Sequence, residues 1–173
     1  MKQLLLLLIL CFLSISTVGC QNIDPEKGYT SASLYRTDIE TVHVPIFESE
    51  TLEQGIEFEL TRALCLELES HSPYKVVSNP DKADSILHGR ITNVSEKVLT
   101  QQRQLDRPME NQVVLAVNVT WEAAGGDEKL IDSRLYRYSG YYARLLPGGR
   151  ESAVQEAVTK LARRIVESME KTW

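Results

Sequence analysis

The chain has 173 residues, 43% of them hydrophobic and 25% charged, with a formal net charge of −5 at pH 7. That length suits a single domain behind a short leader and is enough to bury one core. The acidic balance argues against a nucleic-acid binder working through a general basic surface, so positive charge matters only where it is gathered locally.

The N-terminus carries a basic tip, Met1-Lys2, an apolar run over residues 4–15, and the tetrad Thr17-Val18-Gly19-Cys20. An apolar stretch of about a dozen residues is too short for a stable bilayer span but suits the core of a signal peptide. Small residues before the cut and a thiol just after it resemble a bacterial lipobox, with Thr17 standing where that motif usually has Leu. The reading predicts a lipoprotein signal peptide over residues 1–19 and acyl chains on Cys20, two or more of which hold a protein durably on a membrane. Gln21, rather than an Asp, follows the cysteine and points to the outer membrane. With Cys11 lost in the leader and Cys20 acylated, Cys65 stays alone and no intramolecular disulfide forms.

Residues 20–37 mix Gly, Pro, Ser and Thr without apolar periodicity and read as a tether, its far end docked by Tyr29, Leu34 and Tyr35. A single domain is expected over 38–173. Thr41-Val42-His43-Val44-Pro45 alternates and stops at proline, as a short strand does. A helix is predicted over 51–70, opened by Thr51 and Gln54 as a capping box and closed before Pro73. Its inward stripe is Leu52, Ile56, Leu60, Ala63, Leu64 and Leu68. Phe58 and Cys65 project from nearly the opposite face, either covered by another element or offered to a partner.

A brief strand over 74–77 and a turn at Asn79-Pro80-Asp81 lead to a β-rich stretch over 85–100 with an irregularity near Asn93. The polar run 101–111 reads as a loop. Val113, Leu115, Val117, Val119 and Trp121 alternate strictly, which predicts a strand with one buried face. Gly125-Gly126-Asp127 turns into a further strand over 129–142. Pro147-Gly148-Gly149 precedes a final helix over 151–171, with Ser152 and Gln155 as its capping box and Val154, Val158, Leu161, Ile165 and Met169 as its stripe. The order β-α-β-β-β-α implies an α+β fold, a two-layer α/β sandwich with both helices on one face of a mixed four- to five-stranded sheet.

Catalytic constellations are absent from the sequence. His43, His71 and His88 sit singly, none at metal-ligand spacing with another His or Cys. There is no G-x-S-x-G elbow, P-loop or G-x-G-x-x-G, and the glutamates of the first helix read as a solvated face. The expectation is therefore a non-enzymatic binding module without metal or cofactor. Its basic candidates are Arg103, Arg107, Arg134 and Arg137, with Lys97 and Arg144 nearby, gathered for lipid phosphates or simply scattered on sheet edges. Tyr136, Tyr138, Tyr141 and Tyr142 serve either cross-strand packing or contact with acyl chains or a barrel.

Several segments in this order resemble the LptE family of outer-membrane LPS-assembly lipoproteins. They are Gly28-Tyr29-Thr30, Val42-His43-Val44-Pro45-Ile46-Phe47, Gly55-Ile56-Glu57-Phe58-Glu59-Leu60-Thr61, Ala83-Asp84-Ser85-Ile86-Leu87-His88-Gly89-Arg90-Ile91, the strand 113–121, and Leu161-Ala162-Arg163-Arg164-Ile165-Val166. The resemblance implies a two-helix sandwich seated inside or against an LptD-type barrel, assisting LPS insertion at the cell surface. Seven residues separate Cys20 from Gly28, where the family often has Gly-Tyr directly after the cysteine, so the tether is longer here. The segment 83–91 is also similar to TolB N-terminal-like and peptidoglycan-synthase-activator lipoproteins, which implies an envelope adaptor as the alternative function.

Overall fold

In the computed structural model, residues 34–102, 107–126, 128–144 and 146–170 are described. The expected leader at 1–19, the expected acyl site Cys20, the expected tether as far as residue 33, and Arg103 lie outside them. The described elements are β1 (Thr41–His43), β2 (Glu48–Ser49), α1 (Ile56–His71), β3 (Lys75–Val76), β4 (Ser85–Gln102), β5 (Arg107–Ala123), β6 (Lys129–Ala143) and α2 (Gly149–Glu167).

The strands form one mixed sheet ordered β3-β1-β4-β5-β6, with β2 also alongside β4. β1 is parallel to both β3 and β4, as a crossover through a helix requires, whereas β4, β5 and β6 form an antiparallel meander. β1 and β2 run along the same edge of β4 in two pieces, at Val42↔Ser85 and Glu48↔Arg90. Between them the chain buries Phe47 against Gly89. A side chain at Gly89 would collide with the Phe47 ring and lie 2.6 Å from the Asn118 carbonyl oxygen, so glycine is what admits the phenylalanine.

The helices share one face. Ile56, Leu60, Leu64 and Leu68 of α1 join Val154, Ala157, Val158, Leu161, Ala162 and Ile165 of α2 in a contiguous core with Val113, Leu115, Val117, Val119 and Trp121 of β5. Each large aliphatic side chain fully buried there contributes about 1.5–3 kcal/mol. Trp121 donates from Nε1 to Ser85 Oγ at 3.0 Å and packs on Tyr74, which meets Tyr35 edge-on. Tyr35 also donates to the His71 carbonyl, so the last residues of the expected tether are built into the fold.

Four local expectations need correction. The first helix begins at Ile56, behind Gly55 in the left-handed region (φ 97°), with no side-chain cap on the Gly55 position. Glu50 N–H still bonds the Ile91 carbonyl, so the chain around Thr51 extends the sheet edge and cannot yet turn helical. Leu52 is consequently outside the helix and fully exposed instead of in the core. The second helix likewise opens behind a left-handed glycine, Gly148 (φ 71°), and not on a Ser152 box.

The polar run 101–111 is also mostly ladder. β4 continues to Gln102 and β5 opens at Arg107, paired Gln102↔Arg107 and Gln101↔Pro108. Backbone pairing carries the strands beyond the last core residues, Ile91 of β4 and Val113 of β5. Finally, the central strand is covered on more than one face: Val114 and Ala116 point away from the helices yet are buried. The irregularity expected near Asn93 is a register shift between Ile91 and Asn93.

Candidate partner and lipid interface

The outer side of α1 presents Phe58 and Leu66, both 58% exposed. Cys65 differs from Phe58, because it sits half-buried at the margin of the core. Burial, with Glu69 adding to it, pushes its thiol above the ordinary range, so it is not an activated nucleophile. α1 is clamped to α2 from its inner flank: the nearly buried Glu67 accepts from Arg163 Nε at 3.0 Å and lies 3.2 Å from His71 Nδ1.

The basic candidates separate. Arg107 opens β5, well away in sequence and register from β6, where Arg134 and Arg137 lie. Arg134 pairs with the core residue Val119 and so leans to the helical side, whereas Arg137 pairs with Ala116 on the open side. Both, with Leu135, Tyr136, Arg164 and Ser168, line a surface hollow of about 410 Å³ along the outer edge of β6. Among the described residues, none of Arg134, Arg137 and Arg164 has an ion-pair partner. Arg164 carried no signal in sequence, being 27 residues beyond Arg137. It arrives because α2 folds back over β6.

The tyrosines mainly serve the sheet. Tyr136 is buried and its hydroxyl meets Ser168 Oγ at 2.5 Å. Tyr142 donates to Glu96, which also accepts from Asn111 Nδ2 at 2.6 Å. These contacts, with Arg150 beside them, hold the Glu96 carboxyl below the usual range. Arg150 bonds Glu53 at 2.6 Å as well, tying the start of α2 to the loop before α1. Only Tyr141 is largely exposed.

The open face of the sheet holds a shallow groove of about 700 Å³ beside Ile46, His88 and Asn118. Arg90 within it is occupied by Glu48 at 2.6 Å and Glu50 at 3.0 Å. The three histidines fall in separate places: His43 Nδ1 lies 2.9 Å from the Val77 carbonyl, His71 beside Glu67, and His88 3.8 Å from Glu122. Among the described residues no three His, Cys, Asp or Glu side chains converge to hold a metal ion. None of the described helices is long and apolar enough to cross a membrane.

The interior so described, from the strand that begins after Ile39 to the buried Met169, is what a family model matches: the model for LptE, lipopolysaccharide-assembly, aligns with residues 39–169. The chain belongs to the LptE family. No curated protein matches it in sequence. Among solved structures, lipoprotein B from Nitrosomonas europaea is similar at 15% identity and a TM-score of 0.55, covering 75% of this chain and 81% of its own. Rare lipoprotein B from Shewanella oneidensis is similar at 17% identity and a TM-score of 0.53, covering 75% and 93%. A protein from Xanthomonas campestris reaches a TM-score of 0.59 at 9% identity, covering 78% and 85%. At these identities the likeness is one of fold: two helices on one face of a mixed sheet. LptE membership makes the chain an envelope lipoprotein of an LPS-assembly family.

Proposed function

We propose that this LptE-family chain is held on the outer membrane by acyl chains on Cys20, seats inside or against an LptD-type β-barrel, and assists insertion of LPS at the cell surface. The observation that carries this reading is the family match running through the whole fold, from residue 39 to residue 169. The work is that of a scaffold. A body stiffened by one continuous core and by the Glu53–Arg150–Glu96 ties presents preformed surfaces to a partner, so little ordering entropy is lost on association. Phe58 on α1 is one such surface, an aromatic side chain already exposed and held by a rigid helix. The acyl chains supply residence on the membrane, and the barrel supplies orientation.

The test is Cys20→Ala in cells, followed by fractionation and affinity purification. Release of the variant from the membrane, with an outer-membrane barrel recovered by the wild type, supports the proposal. Recovery of a peptidoglycan synthase or a periplasmic complex in place of a barrel supports the adaptor reading and overturns this one.

A further inference from the structure

β6 is the outermost strand of the sheet, and among the described residues it pairs only with β5. It is 15 residues long. Its second edge therefore offers a row of backbone N–H and C=O groups with no strand to meet them, over a length well above the typical five or six residues. Short edges are commonly blunted by bulges or covering elements. Here the one left-handed residue, Ser133 (φ 40°), kinks only the early part of the strand, and α2 crosses its face near Gly140 without occupying the edge.

The middle of this edge is cationic, while Asp38 and Glu170 share a hollow with Arg134 toward its early end. Asp132 is engaged by Lys129 at 2.8 Å, which leaves Arg134 and Arg137 on the strand and Arg164 beside it without a counter-ion among the described residues. A chain that is acidic overall thus has a cationic stripe along its unpaired edge. Self-pairing is disfavoured, because laying two copies edge to edge brings two cationic stripes together. An extended acidic segment meets both needs at once, its backbone completing the ladder and its carboxylates pairing with the arginine forks. Leu135, 55% exposed between the two arginines, supplies an apolar contact.

We propose that the free edge of β6 is a strand-addition site for an extended, acidic segment of a partner protein, read by Arg134, Arg137 and Arg164. It rests on the reading above only in taking the partner to be a protein. Arg134 and Arg137 lean to opposite sides of β6 yet line one hollow with Arg164 along its outer edge, which is the path an added strand would take.

The test uses the full lipidated chain in its own cells, with Leu135, Arg137 or Ser139 replaced one at a time by photoreactive p-benzoylphenylalanine, and the adducts mapped by mass spectrometry. Strand addition predicts adducts that step by two residues along one Asp/Glu-containing segment. With the probe at residue 139, Arg134→Glu with Arg137→Glu is expected to cut the adduct yield at least about tenfold, a change of about 1.4 kcal/mol. Arg134→Lys with Arg137→Lys retains most of it. The absence of adducts, adducts only with a second copy or with LPS, or adducts scattered over unrelated segments would overturn the proposal. If the segment belongs to a protein that is not an outer-membrane barrel, the edge site stands and the barrel reading falls.

Discussion

Replacing Gly140 with alanine tests the closest approach between the layers. A methyl carbon there collides with the Ala153 carbonyl oxygen and comes within 2.8 Å of its carbonyl carbon and 3.0 Å of its Cα. Carbon atoms pack best at about 3.5–4.0 Å, so α2 must retreat by about 0.5–1 Å at a point where backbone, and not a flexible side-chain tip, is in the way. Overpacking of this kind costs about 1–3 kcal/mol. Gly140 has no left-handed φ, so alanine is conformationally allowed, and its smaller unfolded-state entropy alone would stabilise by about 0.4–1 kcal/mol. The net expectation is a loss of about 1–2 kcal/mol, or a fall in Tm of about 3–8 °C for a fold of this size. Thermal melts of the unlipidated body by circular dichroism measure it. An unchanged or raised Tm refutes the close α2–β6 packing, because the only remaining term is the stabilising one.

Arg163→Ala removes one donor from the nearly buried Glu67 and should cost about 1 kcal/mol, the partner being half-exposed, whereas Glu67→Leu should cost less or nothing; chemical denaturation of both variants gives the order. Asp84 is held below the usual carboxylate range by the Thr41 hydroxyl and the backbone N–H groups of Glu40 and Thr41. Its contribution is therefore complete above the unfolded-state pKa of about 3.9 and is lost as pH falls through the lower folded value. Asp84→Asn should lower Tm by about 2–4 °C at pH 7, with the gap from wild type closing below about pH 4 in a pH series of melts. Phe58→Glu should leave the melt of the isolated body within about 2 °C of wild type, as an exposed position allows, and reduce recovery of the barrel in affinity purification. Full recovery would remove α1 from the partner surface.

Much of this fold was legible along the chain, because period-two and period-3.6 patterns are local. The alternation at Val113 to Trp121 and the stripes Ile56-Leu60-Leu64-Leu68 and Val154-Val158-Leu161-Ile165 each follow from one rule, that a regular element must bury one side. The order of those elements sufficed for the sandwich and for the resemblance to the LptE family. Helix starts were not legible: Thr51-x-x-Gln54 and Ser152-x-x-Gln155 have the composition of capping boxes, but the sheet edge and a left-handed glycine settle where each helix begins.

The candidate interface was still less local. Arg134 and Arg137 are three residues apart, so alternation puts them on opposite sides, but only the pairing of β6 with β5 decides which side each takes, and only the return of α2 brings Arg164 beside them. The same holds for the polar run 101–111, which reads as loop in composition and pairs as strand in the sheet. Sequence alone determined the main inward stripes of the helices and of β5, since these depend on side-chain chemistry and local period, though it misplaced Leu52. The tertiary structure decided which backbone edge stays unpaired and which charges face it, since both depend on contacts between residues far apart in the chain.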